Sequence, residues 1–216
     1  MDKECTAVPA VIAFGLCAAI ALTGTPAWGD SATDQLKATL DQIITVLKNP
    51  ELKSPRRAGE RSDALHALLN QRFDKVEFAK RALGKRWRNI APQQQQEFAQ
   101  LFSSLLERTY FEKIDAYLAK SDGFSEKNIV YLNERKRGPY VIVETKVTID
   151  SDAEIPVLYQ MKSRQDSWLV CDIAIEGVSL LKNYRVQFND IIAGSSFEDL
   201  IKRLKTKAAA EAVTRH

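Results

Sequence analysis

Catalysis or metal binding in this chain would have to be built from two histidines, three cysteines and one closely spaced carboxylate pair. His66 lies in a segment of helical period and His216 is the last residue, so neither a Ser-His pair nor a His-rich metal grouping is available. His66 reads as a plain helix-surface residue. Cys171 sits in an extended segment among apolar residues, which raises a thiol's pKa and makes it inert. Asp172 and Glu176 share a strand face, the kind of pair acid–base chemistry uses, but at strand rise they stand about 13 Å apart, too far for one reacting centre. Asp172 therefore reads as structural, hydrogen-bonded near a sheet end. The run Arg135-Lys136-Arg137 suits a hairpin tip that keeps an edge soluble. No aromatic-interleaved basic surface of the kind that binds single-stranded nucleic acid is present. Gly84, Gly123, Gly177 and Gly194 punctuate elements and form no phosphate-cradling loop.

The elements that must position these residues are legible from periodicity. Leu36, Leu40, Ile43, Ile44 and Leu47 form a 3.6-residue stripe that stops at Asn49-Pro50. After a basic connector, Lys53 to Gly59, residues Leu65, Leu68 and Leu69 mark a second helix running to about Arg72. A third opens with Asp74 as cap, Glu77 completing a capping box and Phe73 stapling onto Phe78, and it stops near Gly84. Pro92 begins a long helix to about Ala119. Its apolar residues, Phe98, Leu101, Phe102, Leu105, Leu106, Tyr110, Ile114, Tyr117 and Leu118, cover more than one face, which means burial on two sides or burial on one side and a ligand on the other.

After Gly123 the period changes to two. Ile129–Leu132 and Tyr140–Ile149 flank the turn Arg135–Pro139, with Val141, Val143, Val147 and Ile149 on one face. A third strand places Ile155, Val157, Tyr159 and Met161 together. A fourth alternates Leu169, Cys171, Ile173 and Ile175 against Trp168, Val170, Asp172 and Ala174. Leu180, Leu181, Tyr184, Phe188, Ile191 and Ile192 then return to helical spacing up to Gly194, and Phe197, Leu200, Ile201 and Leu204 make a last helix. The order of elements predicts an α+β fold with helices packed on a four-stranded antiparallel twisted sheet. The basic face of the last helix, Lys202, Arg203, Lys205 and Lys207, reads as solvated.

The composition is ordinarily globular: 216 residues, 45% hydrophobic, 27% charged, net charge +3. It pools two populations. From Ala7 to Gly24 there is no charge, and the stretch ends in Thr25-Pro26-Ala27-Trp28-Gly29, which predicts a cleaved signal peptide over residues 1–29, with cleavage after Gly29 or after Ala27. A retained membrane anchor is the alternative. Cys17 follows Leu16, which does not suit lipid attachment. Removal of 1–29 leaves Cys171 as the sole cysteine, hence no internal disulfide, and 30 Lys and Arg against 26 Asp and Glu. The expected organisation is one domain over 30–207 and a flexible tail over 208–216. With little catalytic equipment and more apolar faces than one layer contact needs, the remainder suits a binding module for something apolar.

Several segments carry a resemblance. Arg81-Ala82-Leu83-Gly84 followed by Trp87, Pro92-Gln93-Gln94-Gln95 with Phe98 and Phe102, Leu105-Leu106-Glu107-Arg108-Thr109-Tyr110, Trp168-Leu169-Val170-Cys171-Asp172, and above all Glu176-Gly177-Val178-Ser179-Leu180 with Asn183-Tyr184-Arg185 and Gln187-Phe188 resemble the MlaC family, also called toluene-tolerance auxiliary proteins. The resemblance covers about residues 33–207. Two positions depart from it: Ala91 stands where a capping Ser or Thr is common, and Cys171 where Tyr is frequent.

The resemblance implies a non-enzymatic, monomeric periplasmic carrier with an NTF2-like sheet and an apolar pocket. Its cargo would be a phospholipid, with no other cofactor. Its partners would be an outer-membrane lipoprotein–porin complex and an inner-membrane ABC transporter complex with a substrate-binding ring, in a system that maintains outer-membrane lipid asymmetry. A related branch is associated with hopanoids. On that basis Val141, Val143, Val147, Val157 and Tyr159 are expected to form the floor of the lipid site, and Leu105, Tyr110, Val178, Tyr184 and Phe188 its walls. Head-group selectivity is expected to be poor. A degenerate NTF2-like enzyme using Asp172 on a small apolar substrate, and a solid-core interaction protein, are the competing readings.

Overall fold

A computed structural model describes residues 31–111, 124–149 and 153–213. The expected signal peptide, the end of the expected long helix beyond 111 with Gly123, and the last three residues lie outside the described residues. The elements are α1 (Ala32–Lys48), α2 (Ala58–Arg72), α3 (Lys75–Leu83), α4 (Pro92–Leu106), β1 (Ile129–Arg137), β2 (Tyr140–Ile149), β3 (Ala153–Arg164), β4 (Ser167–Ile175), β5 (Val178–Ser179), α5 (Leu180–Gly194) and α6 (Phe197–Val213).

The helix boundaries follow from local chemistry. Ser31 Oγ accepts from the Asp34 N–H at 3.1 Å while Asp34 Oδ2 accepts from the Ser31 N–H at 3.2 Å, a reciprocal cap for α1. The helix ends before Pro50 because a residue preceding proline avoids the helical region, and Asn49 is extended. Asp74 Oδ1 accepts from the Glu77 N–H at 2.9 Å to start α3, and the Phe73 and Phe78 rings stand 6.1 Å apart as the staple requires. Gln94 Oε1 accepts from the Ala91 N–H at 3.0 Å, so α4 keeps half a capping box without a hydroxyl at Ala91.

Five strands pair antiparallel in the order β1-β2-β3-β4-β5. The expected α+β arrangement, helices on an antiparallel sheet, is the one observed, and a two-residue β5 extends it. β4 and β5 are joined by Glu176 (φ 51°) and Gly177 (φ 79°), the two consecutive positive φ values of the tight turns that suit strand twist. Ser179 then caps α5 by accepting from the Lys182 N–H at 2.9 Å, so the Gly-Val-Ser-Leu segment is a turn followed by a helix start.

The register arranges the sheet's inner face in transverse rows. Ile129, Val147 and Ile155 form one, Tyr131, Thr145, Val157 and Ile175 the next, then Val143, Tyr159 and Ile173, and last Val141, Met161 and Val170. The fourth row exists because β4 bulges: Gln160 pairs with Asp172 and Met161 with Val170, leaving Cys171 unpaired. The strict alternation expected for β4 is therefore corrected. Ile173 and Ile175 share a face with Val170 and Trp168, and Cys171 does not.

Two more expectations change. The charged run 135–137 belongs to β1, with Arg137 opposite Tyr140, and the turn shrinks to Gly138-Pro139. Within the described residues the fourth helix is α-helical to Leu106 and passes into a π-helical turn, Glu107–Phe111. The last helix, α6, spans Phe197–Val213.

Two apolar clusters result. The larger joins α3, α4, α5, α6 and the sheet through Phe98, Phe102, Val143, Met161, Val170, Tyr184 and Phe188, and the smaller holds α1 on α2 through Ile43, Leu47, Leu65 and Leu69. Arg72 ties the α1–α2 pair to the sheet: its Nη1 donates to Gln35 Oε1 and the Trp168 carbonyl, both at 2.7 Å, and its Nε to Thr39 Oγ1 at 2.9 Å.

Candidate functional site

Between those two clusters the apolar faces do not meet. They enclose a cavity of about 470 Å³, within the ~300–1,000 Å³ range of small-molecule sites. α1 contributes Leu40, Ile43, Ile44 and Leu47. α2 and the segment into α3 add Leu69, Phe73 and Phe78, and the end of α4 adds Phe102 and Leu106. The sheet contributes Ile129, Val147, Ile149, Ile155, Val157, Tyr159, Ile173 and Ile175, which is most of its first three rows. Tyr110, Phe124 and Leu180 complete the apolar lining. Among the described residues charge enters through Lys75 and Glu107, with Ser103 beside them.

These three polar groups form one cluster. Lys75 Nζ lies 3.0 Å from Glu107 Oε1, Ser103 Oγ donates to the same oxygen at 3.2 Å, and His66 Nε2 lies 3.6 Å from Glu107 Oε2. The two phenols in the lining stay neutral. Burial, with the Tyr184 phenol nearby, pushes Tyr110 up to about 12. Burial also pushes Tyr159 up to about 12, against the contrary pull of the Thr145 hydroxyl. An apolar molecule with one polar end matches this distribution.

The expected site residues divide. Val147, Val157, Tyr159 and Tyr110 line the cavity together. Val141 and Val143 belong to the solid part of the core; Val143 is 0% exposed. Leu105 is likewise buried in the main cluster. Tyr184 and Phe188, expected as walls, pack against α4: their rings lie 5.2 and 5.1 Å from Phe102, and Phe188 lies 5.5 Å from Phe98. A stripe on α5 facing α4 has the same spacing as one facing a ligand. Val178 is 60% exposed at the sheet edge on β5, away from the lining. The largest omission was α1, whose stripe serves α2 and the cavity at once. Its run Leu40, Ile43, Ile44, Leu47, too broad for the short stripe on α2, was the available signal.

Asp172 is outside the cavity. Its Oδ2 accepts from Ser179 Oγ at 2.7 Å and its Oδ1 from the Leu181 N–H at 3.2 Å, anchoring the start of α5, so the acid on which the enzyme reading was built does not face the pocket. Cys171 accepts from Arg81 Nη1 at 3.0 Å; burial pushes its thiol up to about 11 although that guanidinium pulls the other way. Among the described residues no group of three His, Cys, Asp or Glu side chains is placed to hold a metal, and no helix is long and apolar enough to cross a membrane.

A helical layer on a twisted antiparallel sheet, parted to leave an apolar cavity, defines a binding protein of the NTF2-like type. The MlaC protein family pattern matches residues 37–206, and the chain belongs to the MlaC family, whose members are non-catalytic carriers. Among solved structures, a phospholipid-binding protein from Ralstonia solanacearum, determined in complex with a phospholipid, superposes with a TM-score of 0.70 at 25% sequence identity. The match covers 85% of this chain and 99% of that one. No curated protein matches significantly. The segments that carried the resemblance meet in space: Gly84 (φ 57°) lies against the Arg185 guanidinium, with Nη2 3.1 Å from where a Cβ would stand.

Proposed function

We propose that this protein is a periplasmic phospholipid carrier that takes a lipid between an outer-membrane lipoprotein–porin complex and an inner-membrane ABC transporter complex. The apolar cavity between the two clusters is the observation that carries this reading. Family membership and the phospholipid-bound Ralstonia solanacearum protein support it. The uncharged N-terminal stretch supports export.

The energetics favour such a sleeve. A diacyl lipid carries on the order of 30 chain methylenes, and exposing them would cost roughly 24 kcal/mol at about 0.8 each. The cavity exchanges one apolar environment for another, so transfer is near-neutral and the carrier itself needs no nucleotide.

Organic extraction of protein purified from its native cells, followed by lipid mass spectrometry, tests the reading. Stoichiometric phospholipid is expected. Hopanoid would move the protein to the related branch, and an empty extract would refute the carrier.

A further inference from the structure

Among the described lining residues the charged side chains, Lys75 and Glu107, stand together, and both are partly open to solvent. Lys75, the first residue of α3, is 36% exposed, and Glu107, just beyond α4, is 18% exposed. They reach the rim from different helices and pair at 3.0 Å, with Ser103 Oγ on the same carboxylate oxygen at 3.2 Å and His66 facing the other oxygen from α2. The pair opens to water on its Lys75 side, where solvent screens it. Its two charges are therefore cheap to separate when a ligand supplies replacements for both.

Ligand classes differ in what they supply. An uncharged apolar molecule leaves the pair closed. An anionic head group reaches Lys75 only by setting its phosphate beside Glu107, so one attraction is gained against one repulsion. A zwitterionic head group with a primary ammonium satisfies both sides: its phosphate takes the Lys75 ammonium and its own ammonium takes the Glu107 carboxylate, so no charge is left unpaired. We infer that the Lys75–Glu107 pair is the head-group site of the cavity and that it selects zwitterionic over anionic phospholipids. This rests on the phospholipid-carrier reading, and it replaces the expectation of poor head-group selectivity.

The test uses the delipidated protein incubated with vesicles of equimolar phosphatidylethanolamine and phosphatidylglycerol bearing the same acyl chains. Bound lipid is re-isolated with the protein and the two classes are counted by mass spectrometry. The unaltered protein is expected to enrich phosphatidylethanolamine about fivefold, the effect of one well-placed charge pair near water. Glu107→Gln removes the repulsion and brings the ratio down to that of the vesicles or below. Lys75→Gln leaves Glu107 facing the phosphate, so total uptake falls while the ratio stays on the phosphatidylethanolamine side.

A vesicle-like ratio in the unaltered protein overturns the inference, as does an unchanged ratio in Glu107→Gln. If Glu107→Gln does not fold, a Lys75→Gln ratio that shifts toward phosphatidylglycerol overturns it independently. A pair that merely ties α3 to α4 would alter melting temperature and leave the ratio alone. Absence of any lipid from the unaltered protein would instead sink the carrier reading itself.

Discussion

Val143 and Val157 lie on the same face of the sheet in adjacent rows, one under solid core, the other under the cavity. Replacing each with tryptophan separates packing from lining. Val157→Trp places about seven extra heavy atoms where the interior is hollow, so the fold absorbs them and the cargo does not. If the indole displaces about five chain methylenes at ~0.8 kcal/mol each, lipid binding weakens by about 4 kcal/mol, close to a thousandfold. Val143 is 0% exposed and touches no cavity, so the same substitution there overpacks the core and costs ~1–3 kcal/mol of stability or more. The assays are native mass spectrometry for lipid occupancy and thermal unfolding of the delipidated proteins. The expected pattern is a Val157→Trp protein that is folded and empty, and a Val143→Trp protein that melts early or fails to accumulate. Full occupancy in Val157→Trp refutes the assignment of the floor. Equal tolerance of both substitutions refutes the division of that face into hollow and solid parts.

Three further outcomes follow from the same geometry. Gly84→Ala sets a Cβ 3.1 Å from the Arg185 guanidinium at φ 57°, and a melting curve should register a loss of about 1–3 kcal/mol with lipid composition unchanged. Asp172→Ala leaves the Leu181 N–H without its acceptor and should cost ~1–3 kcal/mol in denaturant unfolding, again with the extracted lipid unaltered; a changed cargo would bring Asp172 back as a site residue. Cys171 is held neutral by burial, so its ionisation is favoured in the unfolded chain first: stability should fall as pH rises from about 9 toward about 11, and a thiol reagent at pH 8 should label Cys171 only after denaturation. Labelling of the native protein at a stoichiometric rate would contradict the buried placement.

The helical layer, the antiparallel sheet and most helix ends were legible in the sequence because each rests on interactions a few residues apart. The Asp74 cap, the Phe73–Phe78 staple and the stop before Pro50 are of this kind. So was the family, carried by local segments such as the turn and cap from Gly177 to Leu180. The site was only half legible. Val147, Val157, Tyr159 and Tyr110 line the cavity, whereas Tyr184, Phe188 and Leu105, with the same apolar spacing, are core.

Sequence alone therefore determined which faces are apolar and how few histidines and cysteines the chain has. Tertiary structure decided where two apolar faces meet and where they part. A single unpaired residue, Cys171, moves Val170 onto the inner face and closes one end of the sheet against α3, while α1 stands off the other end on α2. Periodicity reports that a side chain avoids water. Whether a neighbouring side chain or an empty volume lies opposite depends on the register and spacing of whole layers, which only the assembled fold fixes.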